Sequence, residues 1–77
     1  MNYKIQPSYK VTDQGTVPAD DARTITNEDG AVIATAMFND WDNTAAITTF
    51  TKNGNSEIKH LPCESTDQLD EVIRKAL

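Results

Sequence analysis

The segment RTITNEDGAVIATAMF, residues 23–38, predicts the architecture more directly than any other part of the chain. Asp29-Gly30 lies between two β-prone runs, which is the strongest short-range signal for a β-hairpin. We therefore expect a turn at residues 27–30. The second run, residues 32–38, is apolar on both faces, since Ala34 and Phe38 alternate with Ile33 and Met37. Such a strand is typical of the middle of a sheet.

The N-terminal segment YKIQPSYKV, residues 3–11, alternates between apolar and polar residues. This period of two predicts a strand with one buried and one exposed face. Pro7 favours a position at a sheet edge, because proline cannot donate to a strand ladder. The side expected to face the core consists of Tyr3, Ile5, Pro7, Tyr9 and Val11. Residues 12–22, with Gly15, Pro18 and three aspartates, show no periodicity and are expected to form a loop.

The C-terminal half predicts two more strands and a helix. The β-branched run TAAITTFT, residues 44–51, and the run SEIKHL, residues 56–61, flank an Asn53-Gly54 hairpin signal. In STDQLDEVIRKAL, residues 65–77, Ser65 and Gln68 have the spacing of a capping box. The apolar positions have helical spacing and predict an amphipathic helix of about three turns: Leu69, Val72, Ile73, Ala76 and Leu77.

These elements indicate an α+β fold in two layers. A chain of 77 residues has no room for a second core, so residues 1–77 are expected to form a single domain. The helix is too short to be stable alone and must pack on one face of the sheet. We expect four or five antiparallel strands, joined largely as a meander and covered on one face by the C-terminal helix.

The charge balance and the single cysteine restrict the classes of function. Twelve acidic residues oppose seven basic ones, giving a formal net charge of −5. Nucleic-acid binders usually have the opposite balance, so direct nucleic-acid binding is disfavoured. The lone Cys63 favours a reducing compartment. The sequence contains neither an apolar run long enough for a membrane span nor a signal-peptide core, so we expect a soluble, cytoplasmic protein without membrane contact.

No constellation of residues predicts catalysis, a cofactor or a metal site. FNDWDN, residues 38–43, resembles the start of a calcium loop, but Ala45 and Thr51 occupy the positions of its glycine and glutamate. His60 and Cys63 provide too few ligands for zinc. We interpret His60 as a residue of the sheet surface and Cys63 as an apolar filler at the junction between strand and helix. The protein is therefore not expected to be an enzyme.

Trp41, the only tryptophan, lies in a predicted connection between charged neighbours. Its ring either folds back onto the sheet or anchors a partner, since tryptophan is enriched in interface hot spots. The other aromatic residues fall at strand positions that we expect to face the core: Tyr3, Tyr9, Phe38 and Phe50.

Two hypotheses for function follow. The first is a small acidic protein-binding module, an inhibitor or modulator, that engages a basic surface of a partner protein. In size, acidity and lack of chemistry it is similar to the small inhibitors that phages and mobile elements encode, including anti-CRISPR proteins. That similarity is one of general character and transfers no residue. The expected partner-binding residues are Asp20, Asp21, Glu28, Asp29, Asp40, Trp41 and Asp42.

The second hypothesis is a homo-oligomeric structural or scaffold domain that associates through an edge strand or the open sheet face. A two-layer domain leaves one face of its sheet without a helix. Thr26, Ile33 and Thr48 are expected to make that face apolar enough to be buried in a homodimer.

Overall fold

The strands form an antiparallel meander that is followed by a helix. The computed structural model describes residues 2–51 and 53–77. Five strands lie side by side in the order of the chain. They are β1 (Tyr3–Thr12), β2 (Gly15–Asn27), β3 (Val32–Asn39), β4 (Thr44–Phe50) and β5 (Ser56–Pro62). A 3-10 turn, Thr66–Gln68, leads into the helix α1 (Leu69–Ala76). The predicted α+β meander with its C-terminal helix is confirmed, and β3 is the middle strand.

Both predicted hairpin turns are present and share one hydrogen-bond pattern. In the β2–β3 turn, the N–H of Asn27 donates to the carbonyl of Ala31 at 3.0 Å. In the β4–β5 turn, the N–H of Thr51 donates to the carbonyl of Asn55 at 2.9 Å. The glycine of each turn has a positive φ, +84° at residue 30 and +82° at residue 54. A residue with a Cβ would be strained in this conformation, which explains the glycine at these positions.

The expectation of a loop at residues 12–22 is wrong. Only Asp13 and Gln14 form a turn, and the chain from Gly15 onward is part of β2. The register explains the missing periodicity: Pro7 pairs with Arg23, whereas the next residue of β1 pairs with Ala19. Residues 20–22 of β2 therefore form a three-residue bulge. The bulge interrupts the alternation by which a strand is recognised.

The core lies between the sheet and α1. Leu69, Val72 and Ile73 of the helix are buried against small side chains of the two central strands. Those small side chains are Ala34 and Ala36 of β3 and Ala45 of β4, and they are flanked by the larger Ile25 and Ile47. Small residues in the middle of the sheet allow the helix to approach closely, and the large helix side chains fill the space between the layers.

The end of the hairpin formed by β1 and β2 extends beyond this core. Tyr3 and Ile5 pack against the core cluster as predicted, but Tyr9 is 62% and Val11 86% exposed. Their prediction as inward-facing residues is wrong, because β3 pairs with β2 only from Ala22 to Thr26. Among the described residues, those beyond the bulge have no third strand to pack on. We call residues 8–19 the β1–β2 arm.

The helix begins differently from the prediction. Ser65 makes no side-chain cap, and the side-chain oxygen of Gln68 accepts a hydrogen bond from the N–H of Glu64 at 3.1 Å. The expected capping box is therefore wrong: Gln68 ends a 3-10 turn and its side chain reaches back past Ser65. Leu77 is 45% exposed and adds little to the core. Within the described residues, no helix is long and apolar enough to cross a membrane.

We expect Leu69→Ala to destabilise the protein by about 2–5 kcal/mol, because it removes a fully buried side chain and leaves a cavity between helix and sheet. Leu77→Ala makes the same chemical change at an exposed position and should alter stability by no more than about 0.5 kcal/mol. Urea unfolding of both variants measures the difference. Equal stabilities would contradict the packing of α1 described above.

Candidate functional site

The connection between β3 and β4 is a tight turn that presents Trp41 to solvent. Residues 40–43 form the turn, and Trp41 is 81% exposed. Asn43 adopts the left-handed conformation, with φ +55°, which asparagine tolerates better than most residues. Of the two alternatives for the ring, the structure places it away from the sheet.

Hydrogen bonds hold the base of this turn. The hydroxyl of Thr44 donates to Oδ1 of Asp42 at 2.7 Å. The N–H of Cys63 donates to the carbonyl of Asn43 at 3.0 Å, which ties the turn to the end of β5. The backbone is therefore fixed on its C-terminal side, while Asp40 and Trp41 at its tip are exposed. We call residues 40–43 the Trp41 loop.

Asp20 and Asp21 lie at the same end of the sheet as the Trp41 loop. Both are exposed residues of the β2 bulge. Ala22, which follows them, pairs with Met37 of β3, and Asp40 comes three residues after Met37. Residues 20–21 and residues 40–43 therefore extend beyond the last β2–β3 pair in the same direction, toward one end of the sheet. Four of the predicted acidic residues thus surround one end of the sheet together with Trp41.

Glu28 and Asp29 lie at the opposite end. They belong to the β2–β3 turn, and the eight residues of β3 separate them from the Trp41 loop. At about 3.3 Å per residue, this separation is about 26 Å. Both residues are exposed, and Glu28 accepts a hydrogen bond from the side chain of Asn2 at 2.6 Å. The seven predicted residues therefore form two groups.

Arg23 organises the acidic bulge, a role that was missed at the level of sequence. Its Nε donates to Oδ1 of Asp70 on α1 at 3.1 Å, forming an ion pair between helix and sheet. Its Nη1 donates to the carbonyls of Asp20 at 2.9 Å and Ala22 at 2.8 Å. A single guanidinium thus fixes the backbone that carries Asp20 and Asp21. The only available signal was two acids separated from a basic residue by one alanine, and this pattern does not identify a bulge.

The residues considered for chemistry lie apart from one another. His60 is exposed on the sheet face opposite α1, where its neighbour on β4 is Ala46. Cys63 is buried in the core cluster, and its Sγ lies 3.1 Å from the carbonyl oxygen of Ser65. In the part of the chain that the structure describes, His, Cys, Asp and Glu side chains form no group of three that could hold a metal ion.

The open face of the sheet, opposite α1, carries a shallow concavity. Its volume is about 460 Å³, and its lining includes Met37, Ala46, Thr48, Ile58 and His60. Met37 and Ile58 are exposed. Of the three residues predicted to make this face apolar, Thr48 is half-buried and lines the concavity, and Thr26 is buried. The placement of Ile33 on this face is wrong, because its side chain packs against the core cluster. Phe50, which was expected in the core, is also exposed here.

No protein-family model, curated protein or solved structure matches the chain. Its function has to be inferred from the surfaces described above.

The fluorescence of Trp41 should report both its exposure and its acidic surroundings. We expect emission close to that of indole in water and efficient quenching by neutral acrylamide. Relative to a free tryptophan derivative in the same buffer, caesium should quench Trp41 more strongly and iodide less strongly, because Asp40 and Asp42 attract cations and repel anions. Asp40→Asn with Asp42→Asn should reduce this difference, whereas Glu28→Gln with Asp29→Asn should not. Blue-shifted emission that resists acrylamide would contradict the exposed ring.

Replacing Arg23 should weaken the attachment of the bulge. We expect Arg23→Ala to lower the free energy of unfolding by about 1–2 kcal/mol, and Asp70→Ala to lower it less, because that variant retains the two carbonyl hydrogen bonds. Arg74→Ala, at an exposed helix position, is the control. Denaturant titrations give the three values. Equal losses for Arg23→Ala and Asp70→Ala would show that the carbonyl contacts contribute nothing.

Proposed function

We propose that the protein is a small, acidic, non-enzymatic binding module that inhibits or modulates a partner protein by engaging a basic surface. The exposure of Trp41 at a loop tip between two aspartates carries this proposal. A large aromatic side chain held in solvent is available for contact with a partner, and tryptophan is among the residues most enriched in hot spots. The proposed docking surface is the Trp41 loop together with Asp20 and Asp21.

Charge supports a basic partner. The net charge of −5 and the aspartates beside Trp41 favour encounter with positive potential and disfavour acidic partners. A basic groove that otherwise binds nucleic acid has the required chemistry, and the module would compete with nucleic acid for it. Direct binding to nucleic acid or to a membrane is not part of the proposal. The proposal does include a cytoplasmic setting and an origin in a phage or mobile element, as for anti-CRISPR proteins.

The two acidic groups have different roles in this proposal. Asp40 and Asp42 flank Trp41, Asp20 and Asp21 lie at the same end of the sheet, and all four would lie at the rim of the interface. Glu28 and Asp29 are about 26 Å away, which is more than twice the Debye length of about 8 Å at physiological ionic strength. Their contribution to the encounter should therefore be small. This separation provides a charge-matched control within the same chain.

The experiment is affinity capture from the native host followed by binding kinetics with the captured protein. We expect Trp41→Ala to increase the dissociation rate, with a loss of about 2 kcal/mol or more in binding, because a desolvated ring acts mainly on dissociation. Asp40→Asn with Asp42→Asn should slow association and flatten its salt dependence, since rim charges act mainly on encounter. Folding should be unchanged in both variants, because all three side chains are exposed.

Glu28→Gln with Asp29→Asn removes the same charge at the other end of the sheet and should change association much less. If this control slows association as strongly as the substitutions beside Trp41, the docking surface is not at the Trp41 loop. If Trp41→Ala captures the same partner with an unchanged dissociation rate, Trp41 is not the anchor.

A second candidate function is a homo-oligomeric structural domain. Two observations favour it: Met37 and Ile58 are exposed on the open face of the sheet, and the strand β5 has an open edge. Neither feature involves the Trp41 loop, so the two functions are compatible. Sedimentation at low micromolar concentration tests self-association directly.

A further inference from the structure

The outer edge of β5 offers backbone hydrogen-bonding groups. Strand β5 is the last strand of the sheet, and its pairing with β4 runs from Ser56 to Pro62 without a register shift. The N–H of Cys63 donates to the carbonyl of Asn43, directly before β4, and the carbonyl of Asn55 accepts from the N–H of Thr51, directly after β4. Because hydrogen bonding alternates along an antiparallel pair of strands, the backbone N–H and C=O groups of residues 57, 59 and 61 also point toward β4. The N–H and C=O groups of Ser56, Ile58 and His60 therefore point away from the sheet.

The two edges of the sheet differ in how they resist pairing. The β1 edge has Pro7 inside the strand, which cannot donate to a new ladder, and the register of β1 with β2 shifts directly after Pro7. The proline of β5, Pro62, is its last residue, and the ladder before it is regular. All residues from Ser56 to His60 are exposed. Strand β5 is thus the edge at which another strand can add.

The charges of β5 select a second copy of the same strand in one register. An antiparallel copy must place outward-facing residues opposite outward-facing residues. If the two-fold axis of the dimer passes through Ile58, Glu57 of each copy lies opposite Lys59 of the partner subunit. The dimer then contains two such pairs. An axis at residue 57 places two glutamates opposite each other, and an axis at residue 59 places two lysines opposite each other. An axis at residue 60 places Pro62, which has no N–H, opposite Ile58.

We propose that two copies of the chain associate through antiparallel pairing of their β5 strands about Ile58, an inference that rests on the homo-oligomer given above as the second candidate function. Three facing pairs each exchange two backbone hydrogen bonds: Ile58–Ile58, Ser56–His60 and His60–Ser56. Glu57 and the partner's Lys59 form non-hydrogen-bonded pairs, in which side chains approach most closely. Ile58, which is 60% exposed in the single chain, meets its own copy. The two five-stranded sheets become continuous.

The dimer has both helices on one side. The two-fold axis is perpendicular to the sheet, so each α1 lies on the same face of the joined sheets. The groove between β5 and α1, lined by Leu61, Val72 and Ala76, then opens toward the corresponding groove of the partner. The open faces of the two sheets, which carry no helix, lie together on the opposite side of the dimer. The pairing about Ile58 uses residues 56–60 of β5 and none of residues 40–43 of the Trp41 loop, so the association does not depend on the proposed partner.

The test is sedimentation over a concentration series up to the millimolar range. Wild type should change from 8.5 kDa toward twice that mass. Glu57→Lys is the decisive variant, because it reduces the net charge from −5 to −3, a glutamate being replaced by a lysine. A general charge effect would therefore strengthen association. The proposed register predicts weakening by about tenfold, since both cross-strand pairs change from attraction to repulsion.

Mixing provides the matched control. Lys59→Glu alone should also weaken association, but an equimolar mixture of Glu57→Lys and Lys59→Glu chains should restore it, because each lysine then faces a glutamate. The variant with both substitutions should behave as wild type. Lys4→Glu, which changes the charge equally on β1, should have a smaller effect than Lys59→Glu.

Amide hydrogen exchange locates the contact. Protection of Ile58 and His60 should increase with protein concentration, whereas Lys59, already bonded to β4, should change little. A chain that keeps a mass of 8.5 kDa throughout the series would overturn the proposal. So would a dimer that Glu57→Lys strengthens, or one that the mixture fails to restore. None of these outcomes bears on binding through Trp41.

Discussion

Leu69 and Ile73 of α1 pack on a part of the sheet where the side chains are small, and this contact holds the two layers together. Ala34, Ala36 and Ala45 bring the helix backbone close to the two central strands. Leu69 and Ile73, both fully buried, then supply most of the apolar volume that the sheet lacks. A helix of eight residues does not persist alone, so its structure depends on this contact. The ion pair between Arg23 and Asp70 adds a polar attachment at its margin.

The strands with regular patterns could be predicted from the sequence because their local signals agree with the tertiary structure. The Asp29-Gly30 and Asn53-Gly54 turns each need a positive φ at the glycine, and each lies between two strand-like runs. The first part of β2 could not be predicted, because the bulge removes the alternation and Pro18 resembles a loop residue. Whether Tyr9 and Val11 are buried depends on how far β3 extends, which is a property of the whole sheet.

The candidate site was predictable in composition but not in arrangement. The sequence identifies an acidic connection around Trp41, yet the exposure of the ring depends on the turn at Asn43 and on the hydrogen bond from Cys63. Strand register alone determines that Asp20 and Asp21 lie near this loop and that Glu28 and Asp29 do not. Arg23 acts through contacts with backbone carbonyls and with a residue 47 positions away, for which one sequence has no signal.

The β1–β2 arm has a consequence for how the chain tolerates change in length. Among the described residues, its two strands pair only with each other beyond the bulge, and a two-stranded ribbon has little stability of its own. Residues 9–16, at the turn end of the arm, are all exposed and therefore contribute little to the core. The turn at Asp13 and Gln14 closes the arm, and each doubling of a flexible loop costs only about 0.6 kcal/mol. Inserted residues, including a whole peptide tag, should be accepted there without loss of the core.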